Sequence, residues 1–246
     1  MDRIAFITGV SSAIGYGLTE AYLKSGGRVY GMSRRAPDGI SGGPSGAFQF
    51  KSVDLAKLEE IPGAVKELLA GVAQIDVAIL NAGILGPIAD LSETPVAEMQ
   101  QVMQVNLWAN KVLLDAIFAI GIPVAQVVGI SSGAATGANR GWNAYAISKA
   151  ALNMLMGLYA AERPGTHFCA LAPGIVDTAM QEKISKMPED PRFDSLERLR
   201  SAKGTPLMPS PQDAAGRLID GIAKATKYPS GSFLDVRSLV KRGPGG

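Results

Sequence analysis

Apolar residues run along this chain in short blocks separated by longer stretches of helical periodicity. The blocks Arg3–Thr8, Arg28–Ser33, Phe48–Val53, Asp76–Leu80, Ala125–Ile130, His167–Ala172 and Ser232–Val236 read as strands. After the first, Leu18, Ala21, Tyr22 and Leu23 recur at helical spacing as far as Ser25, and Gly26-Gly27 stops the helix. Lys57–Ala70 is amphipathic, Pro95–Ile120 predicts two helices with Asn106 inside, and Asn143–Glu162 and Pro211–Ala225 are further helical stretches. Strands that alternate with helices predict an α/β fold: one doubly wound domain over residues 1–246, a parallel seven-stranded sheet with helices on both faces. Ala36–Gly46, rich in Gly, Pro and Ser, predicts a surface loop. Ile175–Gly204 is polar, helical in places and broken at Pro188 and Pro191. It is long for a connection, and a substrate lid is expected at about 175–204.

Composition narrows the classes. At 246 residues, with 47% hydrophobic and 19% charged, the chain can bury a sizeable core without disulfides or a structural metal. The formal charge is +2, with no basic block to suggest nucleic acid. Cys169 is the only cysteine and His167 the only histidine, so no intramolecular disulfide and no Cys/His zinc site is expected. Both lie in the apolar run His167–Leu171 and read as packing residues. There is no signal-peptide pattern and no run of about eighteen apolar residues, so a soluble, cytoplasmic protein without a membrane partner is expected.

Ligands of a parallel sheet bind beyond the carboxyl ends of its strands, and the polar and glycine signals collect there. The first strand runs into Thr8-Gly9-Val10-Ser11-Ser12-Ala13-Ile14-Gly15 and then a helix. A helix N-terminus presents unpaired N–H groups, and small residues let the backbone approach a pyrophosphate. The glycines are not spaced as G-x-G-x-x-G, so a tight turn without a ligand has the same appearance. The second strand ends in Ser33-Arg34-Arg35 with no acid before Asp38. A hydroxyl and a guanidinium suit the 2′-phosphate of NADP and offer nothing to a ribose diol, although two solvated loop arginines would read alike. The other ends are Asp54-Leu55, Asn81-Ala82-Gly83, Ser131-Ser132-Gly133 and Pro173-Gly174. Tyr145 and Lys149 are four apart on one helical face, where a phenol and an ammonium can meet and move a proton to or from an alcohol or ketone oxygen. The bland reading of that pair is a half-buried Tyr beside a solvated Lys.

In this order and at these spacings the motifs resemble the short-chain dehydrogenase/reductase family in its compact form, over nearly the whole chain. Thr8-Gly9-x-x-x-Ala13-x-Gly15 resembles its cofactor turn, with Ala13 where most members have glycine. Asn81-Ala82-Gly83 resembles its fourth-strand motif, and Pro173-Gly174 with Thr178 its nicotinamide cover. Asn106, Ser132, Tyr145 and Lys149 match its catalytic tetrad. The last strand, Gly231–Val236, lacks the more usual Asp-Gly-Gly and, with Ser33-Arg34 and the lid, looks like the branch of benzil reductase and sepiapterin reductase.

The resemblance implies a Rossmann-like fold and NADP(H), preferred over NAD(H), lying across the strand ends. Gly9, Ser11, Ser12, Ile14 and Gly15 would hold the pyrophosphate region, and Ser33 and Arg34 the 2′-phosphate. Asp54 and Leu55 would flank the adenine, Asn81 and Gly83 the adjoining ribose, and Pro173, Gly174, Ile175 and Thr178 the nicotinamide. Tyr145 would supply a proton to a carbonyl held with Ser132. Lys149 would bind the nicotinamide ribose and lower the Tyr145 pKa, and Asn106 would hold a water that links Lys149 to solvent. The implied activity is NADPH-dependent reduction of a small ketone, diketone or pterin-like carbonyl. The alternatives are an NAD(H)-linked alcohol dehydrogenase and a dinucleotide-binding sensor without turnover. Trp142, Leu85, Met180 and Phe193 would either line an apolar pocket or pack the lid. A homodimer or homotetramer through Pro95–Ile120 and Asn143–Glu162 is expected, with a small molecule as the other partner and no metal.

Overall fold

The computed structural model describes residues 3–40 and 46–240. Residues 41–45 of the expected Ala36–Gly46 loop, and the chain ends, lie outside the described residues. The elements are β1 (Ile4–Thr8), α1 (Ala13–Lys24), β2 (Arg28–Ser33), β3 (Phe48–Ser52), α2 (Ile61–Leu68), β4 (Val77–Leu80), α3 (Val96–Met103), α4 (Ala109–Ala119), β5 (Gln126–Ile130), α5 (Asn143–Glu162), β6 (His167–Ala172), α6 (Ala179–Ser185), α7 (Asp194–Ala202), α8 (Pro211–Ala225), β7 (Ser232–Asp235) and α9 (Val236–Val240).

All seven strands are parallel, in the order β3-β2-β1-β4-β5-β6-β7. The chain winds outward from β1 to β3, returns across the sheet and winds outward again from β4. The strand order therefore reverses between β1 and β4, and the crevice there is where doubly wound sheets bind ligands.

Side chains alternate across each strand, so the two faces draw on different residues of the same apolar runs. Phe6, Ala78, Phe168 and Ala170 pack against α2, α4 and α5 through Val65, Leu113, Leu152 and Met156. Ala5, Ile7, Ile79, Cys169 and Leu171 pack against α1, α8 and α9 through Leu18, Leu218 and Val236. Cys169 is fully buried in that second layer, where burial pushes its thiol up to about 12, as its reading as a packing residue requires.

The expected pair of helices in Pro95–Ile120 is one continuous path. Its middle, Gln104–Trp108, is a π-helical turn that contains Asn106. Apolar periodicity cannot show one wider turn, because the helical face is displaced by only one residue. The short α9 was not expected, because Val236 reads locally as the end of a strand. Among the described residues no helix is long and apolar enough to cross a membrane, and no cluster of His, Cys, Asp and Glu could hold a metal ion.

Candidate active site

The turn after β1 is held down by β4. Thr8 Oγ1 accepts from the backbone N–H of Asn81 (3.0 Å) and Ala82 (3.1 Å), and Asn81 Nδ2 donates to the Thr8 carbonyl (2.9 Å). Asn81, expected at a ribose, therefore uses its amide nitrogen to fasten the turn. The turn is tight: a Cβ on Gly15 would lie 2.2 Å from the Gly9 oxygen, and Gly9 has a φ of +75°. Ala13 takes a φ of 52°, the one non-glycine in the left-handed region among the described residues. Ser12 stands at the N-cap of α1 with no side-chain cap bond, so the first-turn N–H groups have no side-chain partner there. Uncapped N–H groups behind a glycine surface fit the pyrophosphate of a dinucleotide.

At the end of β2, Ser33 is buried and its hydroxyl donates to the Arg35 carbonyl at 2.6 Å. It shapes the turn, while Arg34 and Arg35 are exposed and pair with no carboxylate among the described residues. Asp54 Oδ1 accepts from the Ala56 N–H, a local turn bond at 3.1 Å. The Leu55 side chain is in the core with residues of α2, which leaves its backbone as the part that could flank an adenine.

Helix α5 carries Tyr145 and Lys149 inward. Lys149 is 4% exposed, which overturns the reading of a solvated Lys, and Nζ donates to the Ile130 carbonyl at the end of β5 at 2.6 Å. Burial lowers its pKa to about 8. Nζ lies 5.8 Å from the centroid of the Tyr145 ring. The Tyr145 phenol is raised above its ordinary value by burial, and the group that pulls it back is the Ser132 hydroxyl. Lys149 Nζ is thus fastened to the Ile130 carbonyl while it lies beside the Tyr145 ring. Ser132 also caps the short turn Gly133–Ala135, accepting from the Ala134 N–H at 3.1 Å. Ser132 thus caps this turn and lines the same cavity as Tyr145.

Asn106 is fully buried and both polar atoms of its side chain bond to protein. Oδ1 accepts from the Ile84 N–H (2.8 Å), and Nδ2 donates to the Ile84 carbonyl (2.9 Å) and to Ser148 Oγ (3.0 Å). Both protons of that amide are therefore taken by protein, and its oxygen keeps one further lone pair. Ser148, one turn from Tyr145, in turn donates to the Tyr145 carbonyl at 2.8 Å. Asn106 and Ser148 thereby join the π turn, the Ile84 loop and α5. Gly83 sits against this junction: a Cβ there would lie 3.1 Å from Asn106 Oδ1 and 3.5 Å from Lys149 Nζ.

A cavity of about 320 Å³ opens beside Tyr145 and Ser132. Ile14, Pro173, Gly174, Ile175 and Thr178 line it, as do Trp142 and Met180. Leu85 and Phe193 do not; they pack behind Trp142 and Tyr145 with Ile184 and Leu196. The four candidate pocket residues therefore divide two and two. The Ile175–Gly204 stretch carries α6 and α7 and is fastened to the start of α5. Trp142 Nε1 donates to Ser195 Oγ at 2.7 Å, and Phe193 sits so close to Gly141 that a Cβ there would lie 2.7 Å from its ring. Asp90 accepts a bidentate pair from Arg140 (2.6 and 2.7 Å) and a third bond from Arg192 (3.1 Å). Asn143 is a further brace, donating to Thr94 Oγ1 at 2.8 Å. Ser148, Ser195, Asp90 and Asn143 carried no sequence signal for these roles beyond being polar beside a motif.

A sequence model of the short chain dehydrogenase family matches residues 3–189. The chain belongs to the short-chain dehydrogenase family. Members of this family bind a nicotinamide dinucleotide on this fold, and the protein is an oxidoreductase of carbonyl and alcohol groups. It is 31% identical to a benzil reductase ((S)-benzoin forming) of Bacillus subtilis over 251 residues, covering 97% of this chain and 100% of that protein. A Saccharomyces cerevisiae protein of the same name is 28% identical, with 91% of each chain covered. A crystal structure of a Saccharomyces cerevisiae short-chain dehydrogenase/reductase superposes with a TM-score of 0.80 at 25% identity, over 98% of this chain and 100% of that one. The expected place beside benzil reductase agrees with these relatives.

Proposed function

We propose that this short-chain dehydrogenase is an NADPH-dependent carbonyl reductase of small, largely apolar ketones and diketones. The observation that carries the reading is one cavity lined by both Ser132 and Tyr145, with Trp142 and Met180 as its apolar wall. The glycine turn, the uncapped α1 N-terminus and Arg34 would hold the cofactor, which supplies a hydride when bound. The cavity includes both the residues expected at the nicotinamide and the apolar wall, so about 320 Å³ leaves room for a small substrate only. Ser132 and Tyr145 position the carbonyl oxygen. Tyr145, kept a phenol at neutral pH by burial, donates its proton to that oxygen as the alcohol forms. Lys149 holds its place through Ile130 and presents the ammonium to the cofactor ribose, and Asn106 with Ser148 sets the height of Tyr145 on its helix. Residues 175–204 act as the lid. Relatives named benzil reductase support a diketone as the model substrate.

The test is NADPH oxidation against a panel of diketones and simple ketones. Benzil reduction by the wild type and its loss in Tyr145→Phe, by about a hundredfold or more, is the expected result. Arg34→Ala is expected to lower kcat/KM for NADPH and leave that for NADH unchanged. Better turnover with NADH in the wild type would defeat the 2′-phosphate assignment and favour an NAD(H)-linked enzyme.

The homo-oligomer is also proposed here. Ile147, Met154 and Leu158 form an exposed apolar stripe at helical spacing on α5, and Val96 and Trp108 are exposed on the α3–α4 path. Met154→Asp is expected to reduce the mass measured by light scattering to that of one chain.

A further inference from the structure

The cavity beside Tyr145 is lined by two guanidinium groups in different electrostatic states. Arg237 is matched: Asp235 accepts from its Nε at 2.9 Å and its Nη2 at 2.6 Å. Asp235 is also the one carboxylate among the cavity-lining residues. Arg198, on α7, is not matched. It forms no ion pair among the described residues, and its helix neighbour Glu197 pairs with Arg200 instead. Its single hydrogen bond, from Nη2 to Asn139 Oδ1, is long at 3.3 Å, and Asn139 lines the same cavity. Elsewhere in the region arginines are paired with care: Arg140 and Arg192 share Asp90, and Arg192 also takes Asp190. Arg198, exposed to solvent at the cavity rim, is thus the cavity-lining arginine without a carboxylate partner among the described residues.

An apolar wall with one uncompensated cation suits a ligand that is apolar over most of its length and anionic at one place. The reacting carbonyl is neutral and is taken by Ser132 and Tyr145, so the anionic group belongs to another part of the molecule. The planar fork of a guanidinium matches the two oxygens of a carboxylate. We propose that the physiological substrate is a ketone or diketone that carries a carboxylate remote from the reacting carbonyl, and that Arg198 receives it. Gln181 Oε1, buried without a partner in the same wall, is an acceptor; it suits a hydroxyl or N–H on the substrate and not the carboxylate itself. The inference rests on the carbonyl-reductase reading above.

A matched pair of probes tests it: a benzil bearing one para-carboxylate, and its methyl ester, which is neutral and of similar shape. With NADPH, the wild type is expected to show a kcat/KM for the acid about tenfold above that for the ester. Arg198→Met is expected to remove that preference while leaving the ester unchanged, and Arg198→Lys to keep part of it. Equal turnover of acid and ester by the wild type, or equal loss of both in Arg198→Met, would overturn the proposal. Binding of each probe to the NADP-loaded protein, followed by the fluorescence of Trp142 in the cavity wall, separates the two readings. Tighter binding of the acid, lost in Arg198→Met, with neither probe reduced, would defeat the reductase reading and uphold the Arg198 assignment. Binding of the acid no tighter than that of the ester, with both probes reduced, would do the opposite.

Discussion

Lys149 is held as a cation where water cannot reach it, and replacing it separates what the site does from what the fold needs. It is 4% exposed, and its pKa is lowered by burial from 10.5 to about 8. At about 1.4 kcal/mol for each factor of ten, that difference represents roughly 3 kcal/mol of native-state destabilisation at neutral pH. Lys149→Met removes the charge and keeps most of the volume, but it leaves the Ile130 carbonyl without the donor it now has at 2.6 Å. An unsatisfied buried acceptor costs about 1–3 kcal/mol. The net expectation is a variant more stable than wild type by about 1 kcal/mol near neutral pH, and catalytically inactive. The pH dependence has a definite sign. Below pH about 8 the lysine is charged in both the native and unfolded states, and the wild type bears the full burial penalty. Between about 8 and 10.5 the native protein releases its proton while the unfolded chain keeps it, so wild-type stability rises relative to the variant across that window. Urea unfolding of both proteins near neutral pH and again above the window, with NADPH oxidation assayed in parallel, measures each part. A variant less stable than wild type at neutral pH, with a difference that does not move with pH, would refute the reasoning.

Three further outcomes are expected. The rate of ketone reduction should stay level through neutral pH and fall in alkali, because the Lys149 ammonium is lost from about 8 while burial holds the Tyr145 phenol, the proton donor, above its ordinary value; a pH profile of kcat that already falls at or below neutral pH would contradict this. Ala13→Gly relieves a φ of 52°, at about 1–2 kcal/mol for an L-residue, against about 0.4–1 kcal/mol of added chain entropy. The urea midpoint should therefore rise slightly with the NADPH KM preserved, and a fall would show that the turn is not strained. Asp90→Asn should free Arg140 and Arg192 together, raise the KM for the ketone severalfold and expose the 187–193 segment to limited proteolysis; an unchanged KM and cleavage pattern would remove Asp90 from any role in holding the lid.

Much of this molecule is legible from its local pattern. The bounds of α5, β6 and α8 follow from periodicity, proline and cap residues alone, because a helix or strand boundary is set by its nearest neighbours. The strand-end motifs identify the groove for the same reason: glycine, serine and asparagine stand where β1, β4 and β5 stop, and a parallel sheet brings those ends to one edge. What each polar atom does at that edge was decided by contacts between residues far apart in the chain. Asn81 reaches back to Thr8, Asn106 to Ile84 and Ser148, and Lys149 to Ile130. A motif names the residue type at a position and is silent on which of its lone pairs or protons the protein has already taken. The π turn at Asn106, the burial of Lys149 and the division of the four apolar candidates between cavity and packing layer are of that kind. The amino-acid sequence by itself determined the fold and the family and named the candidates for the site. Only the tertiary structure decided which of their groups are free for chemistry, because hydrogen-bond partners and burial are properties of the packed chain.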